Sequence, residues 1–107
     1  MQLIQRKFID WGKTGRRLAR LRETNINLRR YVCSNLRHKA GNCSGECLTC
    51  EFDMDNHISR KELATIFGVS ESVIFNWENA RTEVSLEDML FYAQISKIDL
   101  IDLIVFI

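Results

Sequence analysis

A chain of 107 residues with 46% apolar and 27% charged side chains has material for one domain with a modest core. With no Pro and only five Gly it favours helices over hairpins and sandwiches, and no apolar run approaches the ~18 residues that a membrane span needs. The net charge of +1 conceals a division: residues 1–40 hold eleven Lys/Arg against Asp10 and Glu23, net +9, whereas residues 41–107 hold four Lys/Arg against twelve Asp/Glu, net −8.

The basic half can face phosphates, or it can neutralise the acidic half of the same chain or of a second subunit. The N-terminus shows no apolar signal-peptide core followed by a small-residue cleavage site, so a cytoplasmic location is expected. In that compartment the four Cys are read as reduced or metal-bound rather than disulfide-paired.

Residues 1–12 carry Ile4, Phe8, Ile9 and Trp11, a short apolar helix or arm expected to pack on the core. Gly12 and Gly15 flank the next boundary, with Thr14 as its N-cap. From Thr14 to Arg37 the residues Leu18, Leu21, Asn25, Leu28, Val32 and Leu36 recur at steps of three and four, a helical pattern. It fits one long helix, in which a buried Asn25 fixes the register of a paired subunit, or two helices broken near Thr24-Asn25, both good caps. The broken form is preferred. Lys13, Arg16, Arg17 and Arg20 share a face away from Leu18 and Leu21, either a solvated face or a phosphate contact.

Periodicity stops over 38–57. Cys43-x3-Cys47-x2-Cys50 places three thiols within eight residues, Cys33 lies upstream, and Gly41 and Gly45 allow a tight loop. Four thiolates satisfy tetrahedral Zn²⁺ and leave no open position, so the site is expected to be structural, replacing the core that this loop lacks. Cys33 is the preferred fourth ligand, then His38, with His57 a third candidate. An acidic linker follows, from Glu51 to Asn56.

Helical logic resumes at Ser59, which forms a capping box with Glu62. Leu63, Ala64 and Phe67 share one face of a first short helix, and Ile74 and Trp77 one face of a second. Gly68-Val69-Ser70 joins them, with Gly68 suited to a left-handed helix end and Ser70 to an N-cap. Ser85-Leu86-Glu87-Asp88 opens a further helix with Leu86, Met89, Leu90 and Ala93 inward, and a last helix begins at Asp99. The terminal run Ile104-Val105-Phe106-Ile107 is expected to fold back on the core or to build a dimer interface.

Two short helices across such a turn are the pattern that presents a helix to the DNA major groove. From Ile58 to Leu103 the chain resembles the Cro/repressor-type (XRE-like) helix-turn-helix family. Ser59, Glu62-Leu63-Ala64, Phe67-Gly68-Val69-Ser70, Ile74, Trp77-Glu78-Asn79 and Ser85-Leu86 carry the resemblance, and Gly15 to Arg22 looks like that family's first helix. It implies an all-α, five-helix domain that binds double-stranded DNA, commonly as a homodimer. Here the whole of 1–107 is one DNA-binding domain: N-terminal helices (1–37), a zinc-loop insertion (38–57), and the helix-turn-helix with C-terminal helices (58–107).

By resemblance, Arg60 meets backbone or base, and the second helix exposes Glu71, Ser72, Phe75, Asn76 and Asn79. Asn76 suits adenine N6/N7, Ser72 a base edge or phosphate, Phe75 a thymine methyl, and Asn79 and Arg81 phosphate. The chain departs from the family in its long cysteine-bearing segment, in Ala80 where Gly is frequent, in Val84 where Pro is frequent, and in Glu71, an acid on the reading face that can accept from cytosine N4 or favour the helix N-terminus. The expected function is a sequence-specific DNA-binding transcriptional regulator with structural zinc. The alternatives are a protein-interaction module on the same scaffold and a thiol redox or metal sensor. No nucleophile–base pairing is visible and a closed tetrathiolate site cannot activate water, so an enzyme is not expected.

Overall fold

A computed structural model describes residues 8–37 and 57–107. Six α-helices occur among them: α1 (Trp11–Thr24), α2 (Ile26–Val32), α3 (Arg60–Phe67), α4 (Glu71–Glu78), α5 (Leu86–Ser96) and α6 (Leu100–Leu103). A π-helical turn, Cys33–Arg37, extends α2. The count exceeds the five expected because the helical interval ending at Arg37 is divided, which places α2 between the first helix and the α3–α4 pair.

Asn25 makes that division. It ends α1 in an extended conformation, and its side-chain oxygen accepts from the Leu28 N–H that opens α2. A residue so used is a cap at a corner, which removes the paired-helix role for a buried Asn25. The start of α1 differs from expectation. Asp10, not Thr14, is the N-cap and accepts from the Lys13 N–H at 3.0 Å. Gly12 and Gly15 both lie inside the helix. Thr14 is buried one turn in, and its hydroxyl accepts from the Val105 N–H at 3.0 Å.

That bond belongs to a junction between the two ends of the described chain. Ile9 and Phe106 form an isolated antiparallel bridge, the Asp10 N–H donates to the Val105 carbonyl, and the Ile107 N–H donates to the Phe8 carbonyl. The segment before α1 is thus an extended arm where it is described. Phe8, Phe106 and Ile107 remain exposed beside it.

The core is a single cluster in which Leu18, Leu28, Val32, Ile58, Leu63, Ile74, Tyr92 and Leu103 are closed to solvent or nearly so. Phe67 is its aromatic centre, with ring centroids 5.5 Å from Trp77, 4.8 Å from Phe91 and 4.5 Å from Tyr92. Tyr31 of α2 meets the edge of Phe91, so α2 seats on α5. The inner face of α5 is Met89, Tyr92, Ile95 and Ser96; Leu86 is 65% exposed and Leu90 47%, a correction to their expected burial. Buried positions three apart from Met89 to Ile95 turn Leu86 and Leu90 toward solvent.

The α3–α4 pair follows its sequence signals closely. Ser59 and Glu62 form the reciprocal capping box. Gly68 ends α3 at φ 70°, and the Val69 N–H returns to the Ala64 carbonyl. Ser70 precedes α4 in extended conformation, but its hydroxyl makes no cap bond; it lies 3.0 Å from the Ser72 hydroxyl. No helix among the described residues is long and apolar enough to cross a membrane.

Candidate nucleic-acid interface

α4 has two sides. Ile74 and Trp77 drive its inner side into the core, and this leaves Glu71, Ser72, Phe75 and Asn79 exposed with Asn76 half-buried between them. The expected reading face is therefore one continuous surface. The Asn76 amide makes no hydrogen bond among the described residues, so its donor and acceptor edge is available. The Asn79 amide is directed back along the helix and donates to the Phe75 carbonyl at 2.9 Å.

The chain leaves α4 by a sharp reversal. Ala80 takes φ 57°, a left-handed conformation, and the Arg81 N–H bonds to the Asn76 carbonyl at 2.9 Å. This returns Arg81 to the exposed side of α4, where its guanidinium carbon lies 5.4 Å from the Phe75 ring centroid. Arg60, the first residue of α3, comes to the same ring from the other helix at 5.2 Å.

Arg60 is also fixed from beneath. Its Nε donates to Glu78 Oε1 at 2.8 Å. Glu78 is buried, and it also accepts from Arg22 Nε at 2.8 Å and Arg22 Nη2 at 3.1 Å. Arg22 Nη1 reaches the Ile58 carbonyl just ahead of α3. One carboxylate thus joins α1, the start of α3 and the end of α4. Two cations satisfy this buried anion, and Arg22 Nη2 also lies 3.6 Å from the half-exposed Glu23 carboxylate, so the cluster is balanced in charge with Arg60 at its surface edge. Arg60 is therefore a braced cation rather than a freely swinging one.

Close approach of α1 makes this possible. A Cβ on Gly15 would stand 2.6 Å from the Trp77 carbonyl oxygen and 2.7 Å from that of Glu78. Only hydrogen lets the two backbones meet there.

Beside this junction lies an open groove of about 720 Å³, lined by Lys13, Arg16, Arg17, Arg20 and the acidic Glu23 of α1, by Arg60, and by Glu78 and Asn79 at the end of α4. The charged face of α1 and the end of α4 are thus parts of one concavity. Arg17 is partly engaged, since its Nη1 donates to the Asp102 carbonyl at the end of α6 at 2.6 Å.

Sequence reasoning missed the roles of Arg22 and Glu78. The signal was there: Leu18, Leu21 and Arg22 fall at i, i+3 and i+4, as do Ile74, Trp77 and Glu78. Each charge therefore occupies a core-facing position, and the two have opposite signs. Part of the basic half is used within the chain, because Arg22 and Arg37 pair with Glu78 and Glu62.

Arg37 grips α3 from the insertion side. Its Nε and Nη2 donate to Glu62 at 2.6 and 2.8 Å, and Nη2 also donates to the His57 carbonyl. Residues 37 and 57 are thus held together at the start of α3. Burial alone would raise the Glu62 carboxyl pKa, but the bonds from Arg37 and from the Ser59 backbone and hydroxyl hold it below its ordinary value.

Among the candidate metal ligands, Cys33 lies on the π-helical turn and is buried in the core. Cys43, Cys47 and Cys50, together with His38, fall outside the described residues. Among the described residues no group of three His, Cys, Asp or Glu side chains is placed to hold a metal.

A helix-turn-helix family model matches residues 54–103, an interval that contains α3, α4, α5 and α6. The matched family, of XRE type, is one of DNA-binding transcription regulators. No curated protein and no solved structure matches the chain.

Proposed function

We propose that this chain is a cytoplasmic, sequence-specific transcriptional regulator that binds double-stranded DNA through α4 as a homodimer. The observation that carries this is the exposed side of α4, which presents Ser72 and the half-buried Asn76 with braced or loop-borne cations at its margins. Arg60, Arg81 and the α1 cations Lys13, Arg16 and Arg20 anchor phosphates, and Asn79 contributes from the end of α4. Ser72 and Asn76 read base edges. Glu71, in the first turn of α4, favours the positive end of that helix and disfavours phosphate beside it, which restricts how the helix can sit in the groove.

Exposed Leu86, Leu90, Ile101 and Ile107 supply apolar surface for a second copy. Zinc held by Cys43, Cys47 and Cys50, with Cys33 or His38 as the fourth ligand, would order the segment whose ends Arg37 and His57 bring together. Metal analysis of the purified protein, with thiol-reactive release, tests the zinc assignment separately from the DNA assignment.

The deciding experiment is selection from a random duplex library followed by sequencing. A two-fold symmetric site should be enriched, and affinity for it should fall steeply with added salt. A folded protein that enriches nothing would overturn the DNA assignment in favour of a protein-interaction module on this scaffold.

A further inference from the structure

Phe75 sits on the reading face of α4, 37% exposed, where a contact with a thymine methyl is the obvious role. Its surroundings indicate another. The guanidinium carbons of Arg60 and Arg81 lie over its ring, 5.2 and 5.4 Å from the centroid. These cations come from different places, the first residue of α3 and the loop after α4, and the ring is what they share.

Neither arginine has strong alternative anchorage at its tip. Arg60 uses Nε on Glu78, and its two terminal nitrogens make no hydrogen bond among the described residues. The Arg81 side chain makes none at all among those residues; its backbone N–H holds the loop and the ring holds the side chain. A guanidinium over an aromatic face is attracted by the ring quadrupole while its N–H donors stay free for a ligand.

We propose that Phe75 is a positioning residue: it aligns Arg60 and Arg81 into one two-guanidinium clamp for the DNA backbone, and it does not itself read a base. This rests on the DNA-binding assignment and specifies how its phosphate anchors are held. Arg60 is already braced at Nε by Glu78, so the ring fixes only its outer end, whereas Arg81 has no other side-chain partner among the described residues and loses less freedom on binding because a rigid ring already confines it.

The test uses the full-length protein and the duplex enriched by selection. Equilibrium binding is measured for wild type, Phe75→Ala, Phe75→Tyr, Arg60→Ala, Arg81→Ala and the double variants with Phe75→Ala, each checked for native helicity. The duplex is supplied intact and with each thymine replaced in turn by deoxyuridine. Phe75→Ala should bind about tenfold more weakly, as expected when side chains released from the ring must be immobilised on binding. Phe75→Tyr should recover most of that loss because it keeps the ring face. The Phe75→Ala loss should shrink when Arg81 or Arg60 is already Ala, a coupling that mere packing would not produce. Deoxyuridine should affect wild type and Phe75→Ala equally at every position. A position where deoxyuridine weakens wild type but not Phe75→Ala would establish a methyl contact and overturn the proposal, as would a Phe75→Ala loss that is absent or undiminished in both arginine backgrounds. Failure of wild type to select any duplex would remove the DNA-binding assignment itself, and the clamp with it.

Discussion

Arg22 and Glu78, fifty-six residues apart, close on each other through two hydrogen bonds of 2.8 and 3.1 Å with both side chains buried. This pair ties α1 to the end of α4. Glu78→Ala leaves buried Arg22 with only the more distant, exposed Glu23 carboxylate at 3.6 Å and deprives Arg60 of its brace. Breaking a buried pair from one side costs about 3–5 kcal/mol. Urea unfolding should show a loss of this order for Glu78→Ala and for Arg22→Ala, and the double variant should lose much less than the sum. Additive losses would mean that the pair is not a unit.

Most of the α3–α4 region was legible in the sequence because its determinants are local. A capping box, a Gly in a left-handed position and two apolar residues three apart each act within a few residues of chain. Asn25 was legible for the same reason. The misreadings involve partners remote in sequence. Thr14 has the chemistry of an N-cap, but a backbone N–H from Val105 takes its hydroxyl, and Asp10 caps instead. Leu86 and Leu90 share the inward pattern of a helix, yet Tyr92 and Ile95 decide which way α5 turns. The seven candidate interface residues fall on or beside one face of α4, whereas the buried ion pair that organises them shows only as charges at core-facing positions.

Ala80 provides a test of the reversal after α4. A residue with a Cβ at φ 57° pays a steric penalty that Gly does not. Ala80→Gly should raise stability by about 1 kcal/mol net of the extra freedom that Gly has when unfolded. Thermal unfolding should therefore move up by a few degrees, with no change in helicity. Lys97, at φ 54° after α5, is an independent position where the same substitution should also stabilise. A fall in midpoint at both would show that the left-handed conformation is not strained there.

Gly15 makes the opposite case. A methyl group here meets the carbonyl oxygens of Trp77 and Glu78 at 2.6 and 2.7 Å, and these are backbone atoms that cannot rotate away. Gly15→Ala should force α1 off the end of α4 and cost about 1–3 kcal/mol despite the better helix propensity of Ala. Denaturant titration checks this, and an unchanged or higher midpoint would contradict the close approach.

Glu62 gives the fold an acid-sensitive contact. Its folded-state pKa lies below the ordinary 4.5, because the Arg37 and Ser59 bonds outweigh burial. The contribution is therefore complete well above 4.5 and is lost as the pH falls through that value toward the lower folded-state one. Glu62→Gln should be less stable than wild type near neutrality, and the gap should close on acidification below 4.5. A gap that stays constant down to the acid transition would show that the carboxylate charge is not what Arg37 recognises.

Asn76 and Arg60 should separate specificity from anchorage. Asn76 presents a free, half-buried amide on the outer side of α4, and a bidentate pair with a base edge would discriminate by about 1–3 kcal/mol. Asn76→Ala should weaken binding to the selected duplex and relax preference at one base position, with little change on scrambled DNA. Arg60 is braced by Glu78 at the mouth of the basic groove, a place suited to phosphate. Arg60→Ala should weaken binding by a similar factor on every sequence and reduce the slope of log affinity against log salt by about 1. Competition binding with selected and scrambled duplexes at several salt concentrations reads both effects. If wild type and both variants bind selected and scrambled duplexes alike, α4 is not reading sequence, and the exposed side of that helix has another partner.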